Sequence, residues 1–412
     1  MEHAARKTGL SAARLERIGE HLERRYITPG KIAGCQIAVA RHGHLAYRRS
    51  LGQMDREAGR AMADDAIFRI YSMTKPITAV ALMTLYERGH FQLNDPVSRF
   101  FPAWKGQRVW VSGEGAAMVT QAPGRPPSMR DMLCHTGGLT YGDALAALGA
   151  PSTGLAVDRV YAELGVRRDR SETLADFMAK LAGVPLLYQP GERWMYSLST
   201  DVCGALVEAI SGQRFDAFLQ EALFEPLGMK DTAFAVEADK ADRLCALYRR
   251  AADKSLRLVE APGASDYRRE PAFLSGGGGL VSTTHDYLRF CEMLRRGGEL
   301  DGTRILGPRT VAFMRRNHLK GGQDLDAMAI GGFSETIDEG VGFGLGFATT
   351  LDEVAAGGLG EGDYYWGGAA STLFAIDPTE DLTWVFMTQL MPSGTFNFRG
   401  QLKSLIYAAI VD

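Results

Sequence analysis

The stretch Ile77–Tyr86 (Ile-Thr-Ala-Val-Ala-Leu-Met-Thr-Leu-Tyr) constrains the fold of this 412-residue chain more than any other segment. It is apolar almost all round, so as a helix it has no face to offer water and must run through the middle of a lobe. Arg88-Gly89 supplies a basic last turn and a glycine stop. Pro76 falls in the first turn, where a missing N–H costs little. At the mouth of this helix stand Ser72 and Lys75, one turn apart and on the same side. The positive helix end favours an oxyanion there and lowers the proton affinity of the lysine. Such a pair makes a nucleophile and its base without histidine. Taken alone, the same spacing also describes a serine N-cap followed by a surface lysine.

The remaining signals exclude several function classes. A net charge of −3 and a pI near 6.3, with no Lys/Arg-rich run, leave no footprint for nucleic acid. No apolar run approaches bilayer length, and the charged start Met1–Lys7 continues into the amphipathic Leu10–Ile18 without a secretory core. Five scattered cysteines (Cys35, Cys134, Cys203, Cys245, Cys291) lack C-x-x-C spacing and read as free thiols of a reducing compartment. The expectation is a soluble cytoplasmic protein with no nucleic-acid or membrane partner, its oligomeric state open. Ser275–Gly279 and Gly342–Gly346 lack phosphate-cradle spacing and read as loops approaching a cleft. There is no G-x-S-x-G, and none of His135, His285 or His318 has an identifiable aspartate partner. His42 and His44 read as a hairpin turn with no further ligand nearby, so neither metal nor cofactor is expected.

Strand patterns frame the chain. Cys35–Ala40 and Leu45–Arg49 form a hairpin; Gly344–Thr349, Ser371–Ile376 and Leu382–Thr388 are further strands, with a turn at Asp377–Asp381 and a closing helix over Asn397–Val411. Between Ser72 and about Ser334 helices dominate, among them Ser199–Ala209 and Phe215–Leu223. The fold class is therefore α/β. Residues 1–70 with 335–412 are expected to form an antiparallel sheet domain with terminal helices, and 71–334 an inserted, mainly helical domain.

Two later motifs complete the pattern. Tyr196-Ser197-Leu198 follows Pro190-Gly191-Glu192-Arg193-Trp194-Met195, and Trp366-Gly367-Gly368 precedes a strand near the C-terminus. In this order after Ser72-Met73-Thr74-Lys75 they resemble the superfamily of serine β-lactamases, penicillin-binding proteins and family VIII carboxylesterases, which carry S-x-x-K, Y-x-N and K-T-G or variants. Leu133–Leu139, Glu225–Met229 and Gly277–Thr283 look like other segments of that superfamily, and the similarity runs over approximately residues 10–412. The resemblance implies a β-lactamase-like fold with the site in the cleft between lobes. It implies an acyl-enzyme on Ser72, with Lys75 and Tyr196 sharing the base role and Tyr196 protonating the leaving group. The oxyanion hole would be the backbone N–H groups of Ser72 and Ala369.

Two departures bear on substrate. Trp366 stands where β-lactamases and peptidases have a cationic lysine for a substrate carboxylate, and Leu198 replaces the asparagine of the middle motif. Both turn the site from lactams and D-Ala-D-Ala peptides toward neutral esters. Trp366, Gly367, Gly368 and Leu198, with Tyr141 and Tyr365, are the expected substrate contacts; Tyr71, Trp194 and Tyr364 lie beside motif positions too. The expected function is a serine carboxylesterase for short- to medium-chain, small-molecule esters, with at most weak β-lactam hydrolysis. An acyltransferase, a β-lactamase or D-aminopeptidase-type hydrolase, and a silent ligand binder are the alternatives on the same residues.

Overall fold

A computed structural model describes residues 7–142, 154–330 and 339–412. Its centre is an eight-stranded antiparallel sheet assembled from both ends of the chain. The N-terminal part contributes β1 (Gly34–Arg41), β2 (His44–Asp55) and β3 (Arg60–Ala61). The C-terminal part contributes β4 (Val341–Phe343), β5 (Ala348–Thr350), β6 (Tyr364–Gly368), β7 (Thr372–Asp377) and β8 (Leu382–Thr388). The strand order is β4-β5-β6-β7-β8-β1-β2-β3, so the two termini meet where β8 pairs with β1, Cys35 opposite Thr388 and Arg41 opposite Leu382. His42-Gly43 makes the first hairpin with positive φ at both residues, as a tight turn requires.

The expected strand over Gly344–Thr349 is instead a turn followed by the first two residues of β5. Gly344–Phe347 is the turn between β4 and β5, closed by the Gly344 N–H to Phe347 carbonyl bond. Gly346, at φ +95°, brings the backbone so near the central helix that a Cβ would stand 2.5 Å from that of Ala79. A close approach of this kind decides the turn, and strand propensity cannot report it.

Six helices position the sheet and the site: α1 (Ala12–Leu22), α2 (Thr74–Glu87), α3 (Met129–Cys134), α4 (Ser199–Ser211), α5 (Thr284–Arg295) and α6 (Phe398–Tyr407). On the outer face α1 and α6 pack together, with Phe398 5.0 Å from Phe386 of β8. On the inner face α5 lies across β7 and β8, with Tyr287 5.2 Å from Phe374. The apolar segment is α2, whose residues from Thr74 to Leu85 are all buried and which packs along α4. Phe215–Leu219 is helical as expected, but Gln220–Phe224 continues it as a wider π-turn. The stretch between α2 and β4 also holds short strand pairs that the helical expectation omitted, including Val109–Ser112 with Val119–Gln121 and Leu247–Arg250 with Leu256–Glu260. The expected boundary at 334/335 and the first six residues of the expected charged N-terminus lie outside the described residues. No helix among the described residues is long and apolar enough to cross a membrane. All five cysteines are unpaired and buried.

The end of β6 meets the turn that carries Ser72. Gly368 is buried so tightly there that a Cβ would fall 2.3 Å from the Ile70 carbonyl oxygen and 2.3 Å from Thr372 Oγ1. Gly368→Ala is therefore expected to push β6 away from that turn, destabilising the fold by about 1–3 kcal/mol, the usual range for overpacking. Thermal unfolding followed by circular dichroism checks this; an unchanged midpoint would show that the junction has room to spare.

Candidate active site

Ser72 does not sit on the first turn of α2 itself. It occupies a 3₁₀ turn, Tyr71–Met73, that feeds into the helix. Tyr71 holds φ +42°, a region a bulky side chain rarely adopts, at a typical cost of order 1–3 kcal/mol. The surroundings hold it there. Met73 N–H bonds the Ile70 carbonyl at 3.0 Å, Ile70 N–H bonds Leu280 at 3.1 Å, and the Tyr287 hydroxyl donates to the Met73 carbonyl at 2.8 Å. Ser72 is thus presented from a braced turn between α2, α5 and the end of β6.

Lys75 reaches Ser72 from the next turn, its Nζ 3.3 Å from Oγ. The side chain is 1% exposed, and Nζ also donates to the Gly277 carbonyl at 2.6 Å. Burial holds its pKa well below the ordinary lysine range; Arg168 pushes the same way and Asp201 opposes. Tyr196 lies opposite, its ring centroid 4.6 Å from Nζ and its hydroxyl hydrogen-bonded to Ser72. Burial pushes its pKa well above the ordinary tyrosine value, reinforced by Tyr141 and moderated by the hydrogen bonds from Ser72 and Trp366 and by Arg168. Sequence reasoning left the proton shared between the two groups. The environment pushes the two apart, lowering the proton affinity of the amine and raising that of the phenol.

The glycine run Ser275–Gly279 is the cradle of Lys75, which accords with its reading as a cleft loop. The Asp201 carboxylate, fully buried on α4, accepts from Gly277 N–H at 3.0 Å and from Ser275 Oγ at 2.5 Å. That turns the Gly277 carbonyl toward Nζ. Arg168 in turn binds Asp201 at 3.0 Å and the Tyr141 hydroxyl at 3.2 Å. Sequence reasoning missed Asp201 and Arg168. Asp201 carried one signal, an acidic residue in the first turn of the helix directly after Tyr196; Arg168, in an irregular segment, carried none.

The other expected contacts divide. Tyr141 is at the site, its ring 5.2 Å from that of Tyr196 and its pKa pushed up to about 12, first by burial. Trp366 is also there. It is 1% exposed, 5.4 Å from the Tyr196 ring, and its Nε1 donates to the Tyr196 hydroxyl at 3.3 Å, so it orients the tyrosine more than it walls a pocket. Gly367 is half-buried and Gly368 locks β6 to Ile70. Neither Ser72 N–H nor Ala369 N–H has a backbone acceptor among the turn and loop bonds of the described residues, as an oxyanion pair requires. Two expectations are corrected. Tyr365 faces the other side of the sheet, beneath Arg399 of α6 at 4.4 Å, because neighbours on a strand point oppositely. Leu198 is fully buried at the start of α4, its N–H held by the Thr140 carbonyl at 3.1 Å, and offers nothing to a ligand. His135 caps α3 at φ +58°, with Nδ1 3.1 Å from Ser197 Oγ and Nε2 3.4 Å from Thr200 Oγ1; it is a hydrogen-bonded turn residue, as expected. Among the described residues no group of three His, Cys, Asp or Glu side chains gathers as metal ligands.

A serine, a buried lysine and a tyrosine converging between a helical core and a sheet edge decide the comparison with known proteins, in which the Beta-lactamase family matches residues 20–407. The chain belongs to the Beta-lactamase family. Protein Rv1367c of Mycobacterium tuberculosis is 33% identical over 367 residues, spanning 88% of this chain and 87% of that protein. Esterase EstB of Burkholderia gladioli is 32% identical over 384 residues, 88% of each chain. Among solved structures EstCE1, described as a hydrolase with promiscuous acyltransferase activity, has a TM-score of 0.75 at 28% identity, covering 97% of this chain and 98% of its own. The β-lactamase-like fold and the likeness to family VIII-type esterases are both borne out.

The electrostatics of this Beta-lactamase family site set its pH dependence. Acyl transfer with Lys75 as base and Tyr196 as acid would need Lys75 unprotonated and Tyr196 protonated. As pH falls through the lowered lysine pKa the base is lost, so the acid limb of kcat/KM is expected well below 10.5, the ordinary lysine value; the alkaline limb is expected above 10.0, the ordinary tyrosine value. Asp201→Asn removes the carboxylate that favours the ammonium and leaves Arg168 in place. The acid limb should then move to lower pH, while loss of a buried pair costs about 3–5 kcal/mol of stability. A pH–rate profile of both proteins measures the limbs, and an acid limb that stays put would detach Asp201 from Lys75.

Proposed function

We propose that this chain is a serine carboxylesterase acting through an acyl-enzyme on Ser72. The observation that carries the reading is a buried lysine, its pKa lowered by desolvation, 3.3 Å from a serine hydroxyl. Ser72 Oγ attacks the ester carbonyl while Lys75 Nζ takes the hydroxyl proton. The N–H groups of Ser72 and Ala369 hold the oxyanion. When the C–O bond breaks, the Tyr196 hydroxyl protonates the departing alkoxide and recovers its proton from the Lys75 ammonium. Water then enters by the same steps in reverse and releases the acid.

Short- to medium-chain esters suit this site better than lactams. The family's carboxylate-binding lysine is replaced by Trp366, whose indole is committed to Tyr196. The named activity of EstB supports the ester reading. The description of EstCE1 favours a second reading on the same chemistry, in which an alcohol other than water takes the acyl group. Product ratios with added alcohol distinguish the two.

Ser72→Ala is expected to abolish turnover of p-nitrophenyl butyrate with little change in thermal stability, and a fluorophosphonate should label Ser72 alone. Adduct formation on Ser199 or Ser275 would remove Ser72 from the mechanism. Wild-type kcat/KM should favour the butyrate over a chromogenic cephalosporin by about ten- to a hundredfold or more, the scale of one lost charge-assisted hydrogen bond. Equal rates on the two substrates would place the chain with the lactam hydrolases.

A further inference from the structure

A cavity of about 650 Å³ opens beside the nucleophile turn, within the range of small-molecule sites. Tyr71, which precedes Ser72, and Gly278, which follows the carbonyl that binds Lys75, both line it. Val166, Pro271 and Phe273 add apolar lining.

The charges around this cavity do not cancel. Arg167, Arg168 and Arg170 line it, as do Glu260 and Asp266. Arg167 is committed to Asp169 at 2.8 Å and Arg168 to Asp201 at 3.0 Å. Glu260 is held by the buried Arg69, and Asp266 by Arg269, so each lining carboxylate already has a guanidinium from outside the lining. Arg170 is different. Among the described residues it pairs with no carboxylate; its Nη2 donates to the carbonyls of Asp266 at 2.9 Å and Arg269 at 2.6 Å, and its guanidinium lies 5.3 Å from the Tyr267 ring centroid. These contacts fix the head without neutralising it. Neither Nε nor Nη1 has a hydrogen-bond partner among the described residues, so each keeps N–H donors for a ligand.

We infer that Arg170 binds a carboxylate on the substrate, several bonds from the ester carbonyl, with the intervening chain against the apolar lining. A single uncompensated guanidinium matches a monoanion, and its remaining N–H donors match carboxylate oxygens. The inference rests on Ser72 being the nucleophile. It also relocates the recognition of substrate charge, from the strand position now held by Trp366 to the opposite cavity.

The test compares p-nitrophenyl hemiadipate with p-nitrophenyl hexanoate, and 4-carboxyphenyl butyrate with phenyl butyrate, in the wild type and in Arg170→Gln. The first pair places the carboxylate on the acyl side and the second on the alcohol side. In the wild type, kcat/KM is expected to favour the carboxylated member of one pair about tenfold or more, through KM, with the preference shrinking as salt is raised. Arg170→Gln should remove that preference while leaving hexanoate turnover unchanged, and Arg170→Lys should restore part of it. No preference in either pair, or a preference insensitive to salt, overturns the inference; both are read on the wild type and need no variant. An equal loss on hexanoate in Arg170→Gln also overturns it, by making Arg170 structural. Absence of hexanoate turnover in the wild type would instead count against the esterase reading itself.

Discussion

Lys75 is buried to 1% exposure, and withdrawing an ammonium from water costs several kcal/mol unless it is paired or neutralised. Among the described residues no carboxylate forms an ion pair with its nitrogen. Asp201, whose charge acts on it, is taken up by Arg168, Ser275 and Gly277. What Nζ meets is a peptide carbonyl, a serine hydroxyl and aromatic faces. Such surroundings accept a hydrogen bond from an amine but do not repay an ammonium. Burial therefore lowers the proton affinity of this lysine, the direction that suits a base beside a serine hydroxyl.

Much of the surrounding architecture serves to keep that arrangement dry and still. Helix α2 has no solvent face, so Lys75 projects from a rigid axis. The glycine loop can lie against α2 and α4 only because it lacks side chains: a Cβ at Gly276 would stand 2.6 Å from the Thr200 carbonyl oxygen. From the other side Gly368 admits the Ile70 carbonyl, bringing the sheet edge to the serine turn. Two glycine-bearing segments, distant in sequence, thus close on one hydroxyl. Trp366 completes the wall by giving its indole N–H to Tyr196, which helps hold that hydroxyl beside Ser72.

The substitution that distinguishes this site within its family is also explained by packing. A lysine on β6 in place of Trp366 would bring a cation near Lys75 and leave the Tyr196 hydroxyl without its indole donor. The indole instead joins a cluster of rings, 5.3 Å from Phe343 and 5.4 Å from Tyr196. Apolar aromatic surroundings keep the tyrosine protonated, the state required of a proton donor to a leaving group.

Local pattern made much of this legible. The all-round apolar α2, the Ser72–Lys75 spacing, the hairpin at His42-Gly43 and the final strands each follow from periodicity or turn chemistry acting over a few residues. Order along the chain was enough to join Tyr196 and Trp366 to Ser72 by resemblance. What a one-dimensional reading could not supply depended on which atoms meet across the fold. Tyr365 is adjacent to Trp366 yet belongs to the opposite face, because the register of β6 against β7 sets which residues turn inward. Leu198 occupies a motif position but is sealed by the start of α4. The protonation states of Lys75 and Tyr196 depend on desolvation and on Arg168, nearly a hundred residues from Lys75 in sequence. The sequence by itself determined the helix, the sheet and the candidate groups of the site, since those depend on local geometry and composition. Only the tertiary structure decided their charges and neighbours, since burial and Coulomb interaction act through space and take no account of distance along the chain.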